Sequence, residues 1–278
     1  MHAVARLLPI VSICLSLIAA INSCSPNPYA STNKAYKKQS KSLSKSLQPL
    51  PPPMTMDSIL SPKYSVGTVN FDLRKPNFVI IHHTAQNSCE QTIKTFTLER
   101  TKVSAHYVIC EDGTVHHMLN DYLRAWQAGV SKWGNNTDIN SSSIGIELDN
   151  NGYELFPEAQ IVSLLKLLDT LKRKYIIPAN NFIGHSDIAP KRKVDPNVFF
   201  PWQRLAERGF GQWYDDTTNV ALPPSFDHLL ALRLVGYDMA DTTAAIRAFR
   251  RHFLQDTLGR ELTAPDDKVL YQLMKKYQ

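Results

Sequence analysis

The chain has 278 residues, of which 43% are hydrophobic and 20% charged, and its formal net charge is +6. This composition excludes a disordered or fibrous protein, and the length allows a large domain with a smaller one or with tails. The basic bias favours contact with anionic surfaces, but no RNP-like, zinc-finger or helix-turn-helix pattern accompanies it. We therefore expect no nucleic-acid partner.

The N-terminal segment is predicted to be a signal peptide covering residues 1–23. Arg6 precedes an apolar run, residues 7–21, that is too short for a transmembrane helix. The run leads into Asn22-Ser23-Cys24, which is similar to a bacterial lipobox except for Asn22. We expect cleavage before Cys24 and lipidation of this cysteine. Cleavage by the ordinary signal peptidase and an uncleaved anchor are the alternatives.

Residues 24–62 are predicted to form a solvated tether, because they are rich in serine, lysine and proline. Two interpretations of its charge stay open. The lysines either contact an anionic membrane or cell wall, or they belong to a charged spacer that stays extended.

Residues 63–216 are predicted to form an α/β domain. Residues 77–83 read as a buried central strand, and residues 143–148 and 182–184 as two further strands. Ser88 is a candidate N-cap for a helix over residues 88–100, and Pro157 suits the first position of a long amphipathic helix. A hairpin is predicted over 105–109 and 115–118, and partial helix over 196–208.

Residues 222–278 are predicted to form a small all-helical module after a linker at Leu222-Pro223-Pro224. The three helices are expected over 225–235, 242–254 and 264–277. We expect the module to pack on an apolar stripe of its own, formed by Leu229, Leu232, Ile246, Phe249 and Phe253.

Three residues near strand ends have the chemistry of zinc ligands. His82 lies in the first predicted strand, His185 follows the last one, and Asp195 lies ten residues further on. Imidazole nitrogen and carboxylate oxygen both bind Zn²⁺, and a catalytic site leaves one position for water. His82 and His83 cannot both face one metal, because successive side chains of a strand point to opposite faces.

Four ordered motifs resemble a known family. They are Ile-Ile-His82-His83-Thr-Ala, Ser-Ala-His106-Tyr, Ser-Ile-Gly-Ile-Glu147-Leu and Gly-His185-Ser-Asp-Ile-Ala-Pro-Lys-Arg-Lys193-Val-Asp195-Pro. Together they resemble the zinc-dependent N-acetylmuramoyl-L-alanine amidases, which include phage amidases and peptidoglycan recognition proteins. The chain is most similar to outer-membrane lipoprotein amidases of the AmiD type, and its helical tail resembles their peptidoglycan-binding module.

The resemblance implies a central mixed β-sheet flanked by helices and a Zn²⁺ cofactor. It also implies hydrolysis of the bond between N-acetylmuramic acid and L-alanine in peptidoglycan or muropeptides. The chain would be exported and held by its lipid on a bacterial membrane facing the periplasm, with the outer membrane favoured. We expect a monomer.

Carried over by position, the metal ligands are His82, His185 and Asp195. Glu147, on a strand expected beside the metal, is the candidate general base. Lys193 is the candidate cation for the developing oxyanion. The alternatives are a surface or salt-bridged carboxylate for Glu147 and a solvated basic loop for Lys193.

Four further residues are candidates for substrate contact. His83 either packs or touches substrate, and His106 either supports the site from behind or lines the cleft. Trp126 and Gln127 match a stretch where relatives have Trp-His-Ala-Gly, so Gln127 places fine specificity in doubt. Asp187 is expected to orient His185 or to cap its loop, whereas we expect His116, His117, His228 and His252 to be incidental.

Two other functions remain as alternatives. One is a peptidoglycan recognition module that binds without hydrolysis, although such proteins usually lack a metal ligand. The other is a zinc peptidase that cuts elsewhere in the stem peptide. Cys89 and Cys110 are expected either to form a disulfide or to stay a buried free pair.

Overall fold

A computed structural model describes residues 27–48, 68–70, 72–73 and 75–278. The predicted signal peptide, Cys24 and the proline-rich part of the tether lie outside these residues. The chain divides into two units, Met1–Val69 and Asn70–Gln278.

The described part of the tether is a helix, α1 (Ala30–Ser46), with no buried residue. Its exposure fits a solvated tether, but a spacer that stays extended is wrong for this segment. The reason is local: the helix contains five lysines, two alanines and no proline or glycine, and straight-chain residues and alanine favour helix. No helix in the described part of the chain is both long and apolar enough to span a bilayer.

The second unit is built on a five-stranded sheet, and the predicted mixed sheet is confirmed. The strands are β1 (Phe78–His83), β2 (Tyr107–Ile109), β3 (Val115–His117), β4 (Ser143–Leu148) and β5 (Phe182–Gly184). Their spatial order is β3-β2-β4-β1-β5. The pairs β1–β4, β1–β5 and β2–β4 are parallel, and β3 joins the edge as the antiparallel arm of the predicted hairpin.

Five helices lie between these strands or soon after β5. They are α2 (Cys89–Thr97), α3 (Ile139–Ser142), α4 (Glu158–Tyr175), α5 (His185–Ile188) and α6 (Trp202–Glu207). Short 3₁₀ turns occupy Glu99–Thr101 and Ala179–Asn181. The predicted cap of α2 is confirmed, because the Ser88 hydroxyl accepts from the backbone N–H of Gln91 at 3.2 Å. Pro157 is the N-cap of α4, one position before its predicted place.

A disulfide joins Cys89, at the start of α2, to Cys110, just after β2. Their Cα atoms are 5.3 Å apart, which lies within the usual range for a disulfide. This decides the alternative that the sequence left open, and it ties α2 to the sheet.

The C-terminal helices are α7 (His228–Val235), α8 (Thr242–Phe249) and α9 (Ala264–Tyr277), and a π-helical turn, Arg250–Leu254, extends α8. Leu232, Ile246, Phe249 and Phe253 are buried, but Leu229 is 39% exposed. The expectation of a stripe that packs by itself is wrong. These helices share one hydrophobic cluster with Ile80 of β1, Ile183 of β5 and the loop residue Trp133.

The sheet therefore has a different cover on each face. Val79 and Ile81 of β1 belong to the cluster that contains the apolar stripe of α4. Ile80 points the other way, toward the cluster with the C-terminal helices. Since side chains alternate along a strand, His82 lies on the same face as Ile80, and His83 lies on the α4 face.

Candidate metal centre

The three predicted ligands converge on one point. His82 is in β1, His185 is the first residue of α5 directly after the neighbouring strand β5, and Asp195 is in the loop that follows. The His82 Nδ1–His185 Nδ1 distance is 2.9 Å, and Asp195 Oδ2 lies 3.1 Å from the first and 2.9 Å from the second. The exposed fractions are 1%, 3% and 7%, respectively. The end of the sheet thus assembles two nitrogens and an oxygen in a buried cluster.

The partners of the other ring nitrogens favour one tautomer for each of the two rings. His82 Nε2 lies 2.5 Å from Gln127 Oε1, and His185 Nε2 lies 3.2 Å from the carbonyl oxygen of Ala128. Both partners accept hydrogen bonds, so each neutral ring carries its proton on Nε2 and leaves a lone pair on Nδ1. Two lone pairs and a carboxylate oxygen then face one another, and a cation between them removes the repulsion.

The donor set fits zinc. Ligand atoms about 2.0 Å from one ion at tetrahedral angles lie roughly 3.3 Å apart, close to the 2.9–3.1 Å observed. Two imidazoles with one carboxylate are a common catalytic zinc set that leaves a fourth position for water. Oxygen acceptors behind both rings are the usual support for such ligands.

Glu147 lies beside the cluster, as predicted. It is the parallel-strand partner of His82, and its Oε1 is 4.0 Å from His82 Nδ1. Burial raises the pKa of the Glu147 carboxyl, while His82 and Lys193 act in the opposite direction. The side chain is 13% exposed, which argues against a surface carboxylate. Lys193 is partly buried and acts electrostatically on Glu147.

Gln127 has a different place from the one predicted. The expectation was substrate contact, but its Oε1 accepts from His82 Nε2 and its Nε2 donates to the Ser143 hydroxyl at 2.7 Å. The side chain lies across Gly145, where an added Cβ would be 2.6 Å from Gln127 Cγ. Gln127 therefore orients His82, the predicted ligand, and any side chain with an acceptor at that place could do the same.

The two remaining histidine candidates face inward. His106 is fully buried, with Nε2 2.9 Å from the Leu123 carbonyl and Nδ1 accepting from the Gly145 N–H at 3.1 Å. Burial lowers the pKa of His106. Of the two alternatives for His106, lining the cleft is wrong, because the side chain is buried and both ring nitrogens bind backbone groups. His83 accepts from the Asn197 N–H at 3.1 Å, which supports the packing role.

The tryptophans divide by exposure. Trp126 is 49% exposed, so its indole is accessible beside Gln127. Trp133 and Trp202 are buried in the two clusters and are core residues.

Some residues that support the site carried no sequence signal, and Asp187 was predicted only in part. The Arg192 guanidinium donates to the carbonyl oxygens of Ala128 and Val130, and so fixes the loop that receives His185 Nε2. Asp187 caps α5, as one of its two expected roles, but it also binds Tyr237 and His252. His252 is therefore not incidental. The 65 positions between it and Asp187 hide the pair from any local motif.

A second group with metal-binding side chains comprises Cys89, Cys110 and His116. The two sulfurs form the disulfide, and a metal ligand must be a free thiolate. Within the described residues, this leaves His82, His185 and Asp195 as the candidate metal centre.

Comparison with protein families gives one match, over residues 72–198, to the model described as N-acetylmuramoyl-L-alanine amidase. Among curated proteins, the chain is similar to the N-acetylmuramoyl-L-alanine amidase AmiD of Escherichia coli. The two are 31% identical over 230 residues, which cover 72% of this chain and 82% of that protein.

Two solved structures are similar along most of the described chain. One is the complex of E. coli AmiD with the substrate anhydro-N-acetylmuramic acid-L-Ala-D-γ-Glu-L-Lys. Its TM-score is 0.67 at 29% identity, covering 77% of this chain and 96% of that one. The other is AmpDh3 from Pseudomonas aeruginosa with anhydromuramic pentapeptide. Its TM-score is 0.67 at 31% identity, covering 80% and 99%.

Proposed function

This chain belongs to the N-acetylmuramoyl-L-alanine amidase family, and we propose that it works with one Zn²⁺ held by His82, His185 and Asp195. It hydrolyses the amide bond between the lactyl group of N-acetylmuramic acid and L-alanine. The observation that carries the zinc proposal is the convergence of the Nδ1 atoms of His82 and His185 with a carboxylate oxygen of Asp195 at distances of 2.9–3.1 Å.

The residues divide the chemistry among them. A zinc ion held by His82, His185 and Asp195 would act as a Lewis acid on the scissile carbonyl and would acidify a water. Glu147 accepts the proton of the attacking water, and its burial beside His82 favours this exchange. The same carboxyl then delivers that proton to the alanine nitrogen as the C–N bond breaks, which gives a lactyl carboxylic acid and a free amine. At neutral pH the proton of the acid passes to the amine, so the products are a carboxylate and an ammonium group. Lys193 places positive charge near the developing oxyanion.

The substrates are muropeptides and peptidoglycan. AmiD of E. coli and AmpDh3 are both described with anhydromuramic peptides, which supports the same class of ligand for this chain. Trp126, exposed beside Gln127, offers an apolar platform for a sugar or peptide.

The test is an assay of the full chain in detergent on a muropeptide, read by mass spectrometry. We expect free peptide that begins with L-alanine, its loss with a zinc chelator and its return with added zinc. Glu147→Gln should lower the rate about 10²- to 10⁴-fold with zinc still bound. Glu99→Gln, at a side chain that is 96% exposed, is the matched control.

Two results would contradict the proposal. If the zinc-loaded protein binds muropeptide but releases no peptide, the chain is a recognition module. If hydrolysis persists in metal-free protein, zinc is not the cofactor.

The anchor and location are a separate part of the proposal. Cys24, after the apolar run over residues 7–21, receives the lipid and holds the enzyme on a membrane facing the periplasm, with the outer membrane favoured. Buried acyl chains contribute about 0.8 kcal/mol per methylene to such anchoring. Labelling with radioactive palmitate should mark the wild type but not Cys24→Ala, which should move to the soluble fraction. Equal labelling of both would contradict the assignment.

A further inference from the structure

A buried carboxylate joins the metal centre to the C-terminal helices. Asp187 is fully buried, and three donors reach it. The backbone N–H of Gly184 donates to Oδ2 at 2.8 Å, and the Tyr237 hydroxyl donates to Oδ1 at 2.8 Å. His252 Nδ1 lies 2.7 Å from Oδ2. The first donor belongs to the sheet, whereas Tyr237 lies in the loop after α7 and His252 in the π-helical turn that extends α8.

The hydrogen bonds of Asp187 matter for the metal centre because Asp187 lies close to His185 in the chain. Asp187 and the ligand His185 share α5, which is only four residues long. A single helical turn has no stability of its own, because helix nucleation is unfavourable. The hydrogen bond between Gly184 N and Asp187 Oδ2 closes this turn at its start. Whatever orients the Asp187 carboxylate therefore helps to orient the backbone that carries His185.

The two C-terminal donors are held rigidly. The His252 ring is stacked between Trp202 and Phe253, at centroid distances of 3.9 and 4.0 Å. The Tyr237 ring packs edge-on against Trp133 at 5.1 Å. Burial, with the Asp187 charge as a second cause, raises the pKa of Tyr237 well above its usual range, so its hydroxyl stays a donor. Each donor therefore reaches Asp187 from a fixed ring.

We propose that Tyr237 and His252 are positioning residues for the metal ligand His185, acting through Asp187. The C-terminal helices then contribute to zinc retention, in addition to any contact with the cell wall. The inference rests on the proposed zinc site. Without its two outer donors, the buried carboxylate would have to turn toward other partners. The cap on α5 would be lost with it, and His185 would be held less firmly.

The test separates the hydrogen bonds from the packing. Tyr237→Phe removes a hydroxyl and keeps the ring. His252→Phe keeps a flat ring between Trp202 and Phe253 but removes the donor, whereas His252→Asn keeps a donor near the Nδ1 position and loses the stacking. Tyr277→Phe is the matched control, because the Tyr277 hydroxyl is buried without a hydrogen-bond partner among the described residues and its ring also contacts Trp133.

The readout is the rate at which zinc passes from the loaded full chain to excess chromophoric chelator, together with the melting temperature of the zinc-free protein. The double variant Tyr237→Phe/His252→Phe should lose zinc about 10- to 100-fold faster, the range found when supporting partners of metal ligands are removed. His252→Asn should retain zinc much better than His252→Phe even if it melts lower. Tyr277→Phe should match the wild type.

The outcomes distinguish the two levels of the proposal. If wild-type protein fails to bind zinc stoichiometrically, the proposed metal site is wrong. A second outcome is that the wild type binds zinc, but the rate of zinc release correlates with the melting temperature across all variants and the donors have no separate effect. Tyr237 and His252 would then be merely structural, and the inference would be overturned.

Discussion

The amide of Gln127 controls the orientation of His82. Its Oε1 is 2.5 Å from His82 Nε2, so it fixes the tautomer that leaves Nδ1 free for a metal. Gln127→Met keeps the length of the side chain but removes the acceptor. We expect zinc affinity to fall about 10- to 100-fold, measured by competition with a chromophoric chelator. Gln203→Met, at an exposed position of α6, is the control, and equal zinc affinity in both variants would contradict the role.

Asp149 makes stability depend on pH. Burial, followed by repulsion from Glu111 and Glu90, raises the pKa of Asp149 to about 6. The folded protein thus keeps a proton that the unfolded chain releases near pH 4, so stability falls as pH rises from about 4 to 6. Asp149→Asn should remove this loss. We expect the variant to melt about 2–4 °C higher at pH 7.5, for a gain of about 1 kcal/mol after allowance for solvent screening.

The decisive measurement for Asp149 is the difference in stability between Asp149→Asn and the wild type as a function of pH. Comparing each variant with the wild type at the same pH cancels the other titrating groups. The gain from Asp149→Asn should vanish below about pH 4, where the wild-type carboxyl is protonated in both states. Asp72→Asn, at an exposed aspartate, should show no such profile. An equal gain in stability at pH 3.5 and 7.5 would contradict this explanation.

Residues differ in how far the sequence predicts them. His82, His185, Asp195 and Glu147 lie within motifs at strand ends, so their meeting follows from strand order. The support for these residues comes from other parts of the chain: Gln127 is 45 positions from His82. Such contacts depend on how the loop over 126–130 and the C-terminal helices pack. The spacing of residues along the sequence does not predict this packing.

At the scale of elements, the disulfide holds α2 on the sheet, because α2 itself buries few residues. α2 buries only Thr92 and Ile93, and the bond fixes its first residue to the sheet. The cysteines are 21 positions apart, for which loop closure in the unfolded state predicts about 3 kcal/mol of stabilisation. Cys89→Ala/Cys110→Ala should lower the free energy of unfolding by about this amount, measured by denaturant titration.

A reductant provides the internal control for the disulfide. It should lower the stability of the wild type toward that of the double variant and leave the variant unchanged. Thiol titration of the denatured, unreduced wild type should find neither Cys89 nor Cys110 free. Reaction of both would contradict the bond.

The long elements follow from sequence periodicity, whereas the short ones depend on tertiary contacts. The stripe of α4 and the apolar runs of β1 and β4 are local signals, and their strands and helix are confirmed. By contrast, α5 is a single turn that depends on Asp187 and its distant partners. In α1, helix propensity prevailed over the extended conformation expected from a charged, serine-rich composition.

At the scale of the whole second unit, the sheet is covered on both faces by elements distant in sequence. α4 packs on the face of Val79 and Ile81, and the C-terminal helices pack on the face of Ile80 and Ile183. His82 lies on the second face. The C-terminal helices therefore cover the face of the sheet that carries His82. The sequence predicted these helices as a separate module, because an apolar stripe does not reveal what it packs against.

Trp133 anchors this cover, and its removal tests whether the unit unfolds as one. The buried indole contacts the rings of Tyr237 and Tyr277 at 5.1 and 6.3 Å, and a Cβ at Gly236 would lie 2.5 Å from it. Trp133→Ala should cost about 3–5 kcal/mol. Trp126→Ala, at an exposed tryptophan seven positions earlier, should cost under about 1 kcal/mol.

Hydrogen exchange then shows whether the loss of stability in Trp133→Ala affects the sheet and the C-terminal helices equally. Because one hydrophobic cluster spans the sheet and the C-terminal helices, amides of β1, β5, α7 and α9 should lose protection by equal free energies in Trp133→Ala. If the helices alone lose protection while β1 and β5 keep theirs, the C-terminal segment opens independently. That opening would still withdraw Tyr237 and His252 from Asp187, so zinc release should be faster in Trp133→Ala than in the wild type. Equal loss would instead mean that the helices and the zinc ligands form one cooperative structure.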